Sequence, residues 1–442
     1  MSNRWVLCAG LLGWTIIAVV TLIAAVPLGH DESQYVIAGS DLLAGRPARW
    51  LYLSQGTTLI AVPGILAGGS ELALRVLPML LGFGFIAAAY FLARTTTTPA
   101  TAAWLVPVLA ASFGIVKRNT ELLSDMPAAA ALLAGAALLV TELVREGGPR
   151  RRMVLAGVAF AAAMYLRYGS ALPIAIIGVV SAIGGWRGVT RRPLLVAATL
   201  GVFVALLTPH MLFAYAKTGS PFGIITFSTD MIQTVSEPGL VTYLTSPPLR
   251  WYGIVTAPLL VLGLVSIIWL RDRRLVMLWV MAIASVIGLG LTALAQSRYI
   301  YFSQVVLLVL GVELVRQFVS ERKRLVLACG VIVLASWGVT LLWAYRDARK
   351  LTPAHFVVLA SHAMERDAGS APCRVLGTMV QLHWYSRCAP VQDVYREEVQ
   401  PGKPPHYVVF TPAQYPLDRS VLPGKQVVLL EERGMTLLRV DP

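Results

Sequence analysis

The chain is predicted to be a polytopic α-helical membrane protein that ends in a small α/β domain outside the membrane. Of its 442 residues 57% are hydrophobic and 14% charged, with a mean hydropathy of +0.69. So few charges cannot coat a water-soluble chain of this length. Nearly uncharged runs occupy 5–27, 76–93, 99–116, 126–144, 153–166, 168–186, 193–216, 251–270, 275–295, 299–315 and 325–345, making eleven candidate transmembrane helices. The tail from Arg346 is richer in charge and proline and carries short strand-like alternation. The net charge of +14 does not indicate nucleic acid, because the arginines cluster in short loops between apolar runs, as cytoplasmic membrane loops do.

The first run, Trp5 to Pro27, has the length of a full span and no convincing cleavage site after it, so it remains as an anchor. A further run, Thr57 to Gly69, is short and holds Pro63. Basic groups at Arg145 with Arg150 to Arg152, at Arg187 with Arg191 and Arg192, at Arg271 with Arg273 and Arg274, and at Arg316 with Arg322 to Arg324 decide its role. With eleven spans and a cytoplasmic N-terminus, all four clusters fall inside; one more span at 57–69 would place all four outside. The run is therefore expected to be an interfacial or re-entrant helix within a long outer loop, Leu28 to Arg75. The transmembrane domain is thus expected over 1–345, with an extracytoplasmic α/β domain over 346–442.

Within that tail a helix is predicted from Pro353 to about Arg366, followed by strands at 375–380, 406–411 and 426–431. Cys373 and Cys388 lie here, whereas Cys8 and Cys329 lie in apolar spans. In an oxidising compartment the first two can close a short loop, contributing on the order of 3 kcal/mol; two unpaired thiols are the alternative. His362, His383 and His406 are too scattered in sequence to form a local metal motif. Trp384 and Tyr385 are read as packing residues, with sugar contact as their functional alternative.

The charged residues on the outer side carry the chemistry. Asp31 and Glu32 follow the first span, and Tyr35, Val36, Ala38, Leu42 and Leu43 then recur at roughly helical spacing, as in a helix lying on the membrane surface. The structural alternative is a helix N-terminus, where acidic residues favour the first turn. Asp125, two residues before Pro127, is likewise an ordinary helix start taken alone. Together the carboxylates suit acid/base work on a hydroxyl or the holding of a divalent cation, and the residues leave both uses open. The outward basic residues are Arg46, Arg49, Arg75, Lys117, Arg118, Arg167, Lys217, Arg250 and Arg298. Cations on the translocated side run against the positive-inside bias. Snorkelling to headgroups accounts for most of them, and a phosphate is the natural partner of the rest. Arg167 and Arg298, each followed by a tyrosine (Tyr168, Tyr299) near a span boundary, are the preferred phosphate ligands.

On these residues the chain resembles a family. The Asp31-Glu32 pair opening the outer loop, Tyr35, Gly45-Arg46-Pro47, Glu71 with Arg75, Asp125 with Pro127, and Arg298-Tyr299 are similar to the GT-C superfamily of membrane glycosyltransferases. The nearest groups are the protein O-mannosyltransferases and the lipid A aminoarabinose transferases. The likeness runs through most of 1–345 and is most specific in the Asp-Glu loop. Gln34 departs from it, standing where aminoarabinose transferases usually place Arg. The resemblance implies transfer of a sugar from a polyprenyl-phosphate carrier to a lipid, glycan or protein acceptor at the outer membrane surface. It implies Asp31 as general base, Glu32 and Asp125 as positioning groups, Arg167, Arg298, Tyr299, Lys117 and Arg118 around the donor phosphate, and Tyr35, Arg46 and Arg75 along the acceptor loop. It implies no certain cofactor, and a divalent cation stays open. The short arginine-rich loops point to a bacterial plasma membrane with the site facing the periplasm or cell exterior. A transporter or lipid flippase is the main competing class, although such proteins place charges near the bilayer midplane rather than at one face. An assembly protein using its tail as a binding module is the third.

Overall fold

The computed structural model describes residues 3–24, 26–47, 50–144, 151–226, 239–245, 253–291, 296–319, 321–350, 352–377, 379–390, 406–410 and 424–441. Arg49, Arg145, Arg150 and Arg250 lie outside them. The chain divides into two compact units, one made of 1–23, 50–60 and 75–346, the other of 24–49, 61–74 and 347–442.

The first unit is helical. Each of the eleven apolar runs falls on a helix, and among the described residues seven helices are long and apolar enough to cross a membrane: Asn3–Ile23, Glu71–Thr96, Asp125–Val144, Pro193–Thr218, Arg273–Gly290, Ser297–Val319 and the one beginning at Lys323. Shorter helices, Pro99–Ala110, Arg151–Leu166, Tyr168–Gly184 and Thr256–Ile268, take the remaining runs. The core centres on Trp14, Phe85, Leu105, Leu109 and Tyr301. Where helices Thr256–Val265 and Tyr301–Val319 cross, a Cβ on Gly263 would meet the Leu307 carbonyl oxygen at 2.0 Å and one on Gly311 would meet that of Leu259 at 2.1 Å. Glycine is therefore what lets these backbones touch, the usual device where no water drives helices together. Helix Pro193–Thr218 presents the opposite surface, with Leu194 85% and Leu200 59% exposed, an apolar face fit for lipid.

Helix Asp125–Val144 carries a buried acid near each end. At its far end Glu142 accepts from Arg152 at 3.2 Å and lies 3.9 Å from Arg192, tying two of the basic loops to the bundle. Asp125 occupies the other end.

The second unit holds the tail and most of the first loop. Helix Pro353–Ala368 begins at Thr352 and covers a five-stranded mixed sheet of order β2-β1-β3-β5-β4, formed by β1 (Arg374–Leu376), β2 (Ala389–Pro390), β3 (Tyr407–Phe410), β4 (Lys425–Glu432) and β5 (Met435–Asp441). Phe356, Val357, Ala360 and Met364 from the helix meet Val375, Val409 and Leu437 from the sheet. β4 and β5 form a hairpin whose two-residue turn, Arg433-Gly434, has both residues at positive φ (51° and 77°), which matches the twist of the strands. Cys373 and Cys388 are disulfide-bonded, closing a loop that carries the short helix Leu382–Tyr385. From that helix Tyr385 Oη accepts the Leu28 N–H at 2.8 Å, and the Trp384 ring lies against Gly69. These two aromatic residues thus anchor the first loop to the tail. The tail unit consequently includes 24–49 and 61–74, which a division at 345 alone leaves with the membrane part.

Candidate functional site

In the helical unit, three breaks between helices bring charged residues together. Asp125 opens helix Asp125–Val144, where the N-terminal end of the helix dipole favours a carboxylate. Arg167 stands between helix Arg151–Leu166 and the 3-10 turn Tyr168–Ser170 with extended backbone (φ −160°, ψ 119°). Its neighbours hold it there: the Leu166 carbonyl accepts from Thr57 Oγ1 at 2.9 Å, and Tyr168 Oη donates to the Leu53 carbonyl at 3.4 Å. Arg298 sits in the turn Ser297–Ile300, pinned by Gln304 Nε2 donating to the Ser297 carbonyl at 2.9 Å. The helix that follows begins with Tyr301, whose hydroxyl donates to the Gly114 carbonyl at 2.8 Å.

Arg167 Nη1 pairs with Asp125 Oδ1, and Arg298 Nε lies 3.5 Å from Asp125 Oδ2. The Tyr299 ring faces both cations, 3.9 Å from the Arg167 guanidinium carbon and 5.6 Å from that of Arg298. Side-chain exposure is 5% for Asp125, 18% for Arg167 and 11% for Arg298, so water screens these charges weakly. The group borders a narrow cleft, completed by Ser285, Leu289, Phe302 and Ser303 among others. Two guanidiniums against one carboxylate make this lining net positive, which favours an anion and opposes a divalent cation.

Lys117 and Arg118 do not line this cleft, although Arg118 interacts electrostatically with Arg298 and Tyr301 beside it. Lys117 Nζ is 5.8 Å from the Phe113 ring centroid. Arg118 pairs with Glu121 and lines a second, small cavity with Asn119 and Met126. Arg75 is buried in helix Glu71–Thr96.

The acidic pair belongs to the other unit. Asp31 and Glu32 lie in the first turn of helix His30–Leu43, with Asp31 half-buried and Glu32 fully buried. Glu32 Oε2 accepts the Gly29 N–H at 2.8 Å, reaching back to cap its own helix. Tyr35 is buried on the same helix. Gln34 Nε2 donates to His30 Nε2 at 3.1 Å, which requires that nitrogen to be unprotonated. Burial pushes the His30 pKa below its usual value, and nearby Asp31 only partly restores it. Arg46 closes the helix: its N–H bonds the Asp41 carbonyl at 2.8 Å, Gly45 N–H bonds that of Leu42 at 3.1 Å, and Gly45 has φ +65°. This is the Schellman pattern, and Arg46 Nε adds an ion pair to Asp41 at 2.8 Å.

The sequence reading did not single out Ser285 or Ser303. A lone serine in an apolar helix carries no signal, since its hydroxyl can bond its own backbone.

No family model matches the chain, and no curated protein sequence does. Solved structures do match. ArnT from Cupriavidus metallidurans bound to undecaprenyl phosphate aligns with a TM-score of 0.73 at 16% identity, covering 100% of both chains. The apo form of ArnT aligns at 0.69 over 98% of each chain. The archaeal oligosaccharyltransferase AglB from Archaeoglobus fulgidus, in complex with an inhibitory peptide and a dolichol-phosphate, aligns at 0.57 and 12% identity over 88% of this chain and 65% of its own. The apolar helices and this likeness make the chain an integral membrane protein. Over its full length it shares the fold of the ArnT structure.

Proposed function

We propose that the protein transfers a sugar from a polyprenyl-phosphate-linked donor to an acceptor at the outer, periplasmic face of the membrane. The observation that carries this reading is Asp125, buried between Arg167 and Arg298 at the edge of a narrow, net positive cleft. A phosphate is the anion two guanidiniums bind best, and a lipid carrier delivers one within the membrane. The ArnT structure holds undecaprenyl phosphate and the AglB structure a dolichol-phosphate, which supports the same ligand class here.

The acceptor hydroxyl oxygen forms a bond to the anomeric carbon as the bond from that carbon to the phosphate oxygen breaks, and the electron pair leaves with the phosphate. The transition state is oxocarbenium-like while negative charge grows on the leaving phosphate. Arg167 and Arg298 stabilise that charge, and Asp125 orients both. Asp31 takes the proton from the acceptor hydroxyl. Glu32 holds the helix start that presents Asp31.

The outward orientation rests on helix Asp125–Val144. Asp125 and Glu142 are separated by roughly 25 Å along it at ~1.5 Å per residue, close to a bilayer core. Glu142 gathers Arg152 and Arg192 from loops that the positive-inside bias assigns to the cytoplasm, so Asp125 belongs to the opposite face.

Purified protein in nanodiscs, supplied with radiolabelled polyprenyl-phosphate mannose, glucose, galactose, arabinose and aminoarabinose, is expected to transfer label from one of them to a membrane or periplasmic extract. Asp31→Asn is expected to insert normally and lose ~10²- to 10⁴-fold in turnover. No transfer across the panel overturns the proposal, and full turnover by Asp31→Asn removes that residue as base.

A further inference from the structure

We infer that Ser285 and Ser303 are donor-contacting residues whose hydroxyls bind the oxygens of a phosphate in the Asp125 cleft, an assignment that rests on the donor-site reading above. Ser285 lies in helix Arg273–Gly290 and Ser303 in the first turn of helix Tyr301–Val319. Both are 1% exposed, both line the cleft, and neither hydroxyl has a hydrogen-bond partner among the described residues.

A helical serine need not leave its hydroxyl open. Ser361 Oγ donates to the Val357 carbonyl at 2.8 Å, and Ser266 Oγ donates to that of Gly263 at 2.7 Å. Ser33 and Ser181 are also buried without a partner, but neither borders the cleft. Leaving a buried hydroxyl unsatisfied costs about 1–3 kcal/mol, so two of them converging on one opening need a reason. Beside them stand two guanidiniums, whose N–H groups can only donate. A phosphate offers acceptor oxygens to all four groups. The serines thereby add neutral donors to the charged pair, and they discriminate by fit rather than by net charge. Inorganic phosphate and a lipid phosphate share this chemistry.

The test uses the full-length protein in nanodiscs, as wild type and as Ser285→Ala, Ser303→Ala, the double variant and Ser303→Thr, which keeps the hydroxyl. Thermal stabilisation is titrated with undecaprenyl phosphate and, separately, with inorganic phosphate. Each alanine variant is expected to weaken binding of undecaprenyl phosphate about tenfold and the double variant about a hundredfold, with Ser303→Thr recovering most of the loss. Without ligand, the alanine variants are expected to melt no lower than wild type, because an unsatisfied hydroxyl has been removed; a purely structural role predicts a lower Tm. A parallel loss with inorganic phosphate assigns the hydroxyls to the phosphate group, and stabilisation by the lipid alone assigns the same contact to a carrier whose tail also contributes. Variants that bind like a wild type which itself binds and transfers overturn the inference and leave the proposed reaction standing. A wild type that binds neither ligand overturns both.

Discussion

Asp125 shows how one carboxylate can hold two buried guanidiniums together. Buried with two guanidiniums, it neutralises part of their charge when the cleft is empty. Asp125→Asn is expected to lower stability by about 3 kcal/mol, since a buried pair loses one partner. Saturating undecaprenyl phosphate is expected to restore much of that loss, measured as Tm with and without ligand. Glu32 has a local role: Glu32→Ala removes the acceptor for the Gly29 N–H and is expected to cost about 1 kcal/mol in thermal unfolding, with Glu32→Gln closer to wild type. His30 introduces a pH dependence. Its pKa is lowered in the folded state, so the unfolded chain binds its proton more readily, and stability rises with pH. That stability is complete above the ordinary value of 6.5 and is lost as pH falls below it toward the depressed folded pKa. A Tm series across that window is expected to show a shallower decline for His30→Gln. The charged members of the cleft were legible because ions in an apolar chain need a reason; Ser285 and Ser303 were not, because a neutral hydroxyl needs none.

Helix ends, more than helix bodies, supply the charged side chains of the cleft. Asp125, Arg167 and Arg298 each stand where a helix starts, stops or tightens into a 3-10 turn, so the backbone leaves its cylinder and releases the side chain into the cleft. Arg167 lies at the boundary where the sequence allowed a break near 166–168, and the break is what turns it toward Asp125. The disulfide-closed loop does comparable work for the acidic helix. Removing the bond by Cys373→Ser with Cys388→Ser is expected to cost on the order of 3 kcal/mol. It is also expected to raise protease susceptibility of the first loop, because Tyr385 and Trp384 anchor Leu28 and Gly69. Limited proteolysis checks this, with unchanged cleavage refuting the anchoring role. Among the strands, β3 and β4 coincide with the predicted runs and β1 meets the expected 375–380 only at 375–376, whereas β2 and β5 lie outside every predicted run. In β5, Met435, Thr436, Leu437 and Leu438 are successively buried, so the alternation that marks a half-exposed strand is missing.

For the molecule as a whole, orientation follows from where charge is tolerated. In a background lacking Cys8 and Cys329, a cysteine at Gly219 is expected to react with an impermeant maleimide in intact cells, and one at Thr190 only after permeabilisation. Labelling in the reverse order would invert the assignment and place the Asp125 cleft in the cytoplasm. The compact unit that contains the tail also recruits 24–49 and 61–74, so the Asp31 helix is packed by residues far away in the chain. Linear order offers no hint of that union. Leu28 and Tyr385 are remote in sequence, and the bond between them involves an ordinary backbone amide.

What the sequence determined by itself is the membrane character, the run of helices and the short roster of charges between them, because hydropathy and charge act locally and leave their mark residue by residue. Tertiary structure alone decided that Asp125 sits between Arg167 and Arg298, that Glu32 caps its own helix, and that Ser285 and Ser303 line the same cleft. Those outcomes depend on which helix ends meet across the fold and on which polar groups remain unsatisfied there, and neither is a property of any single stretch of chain.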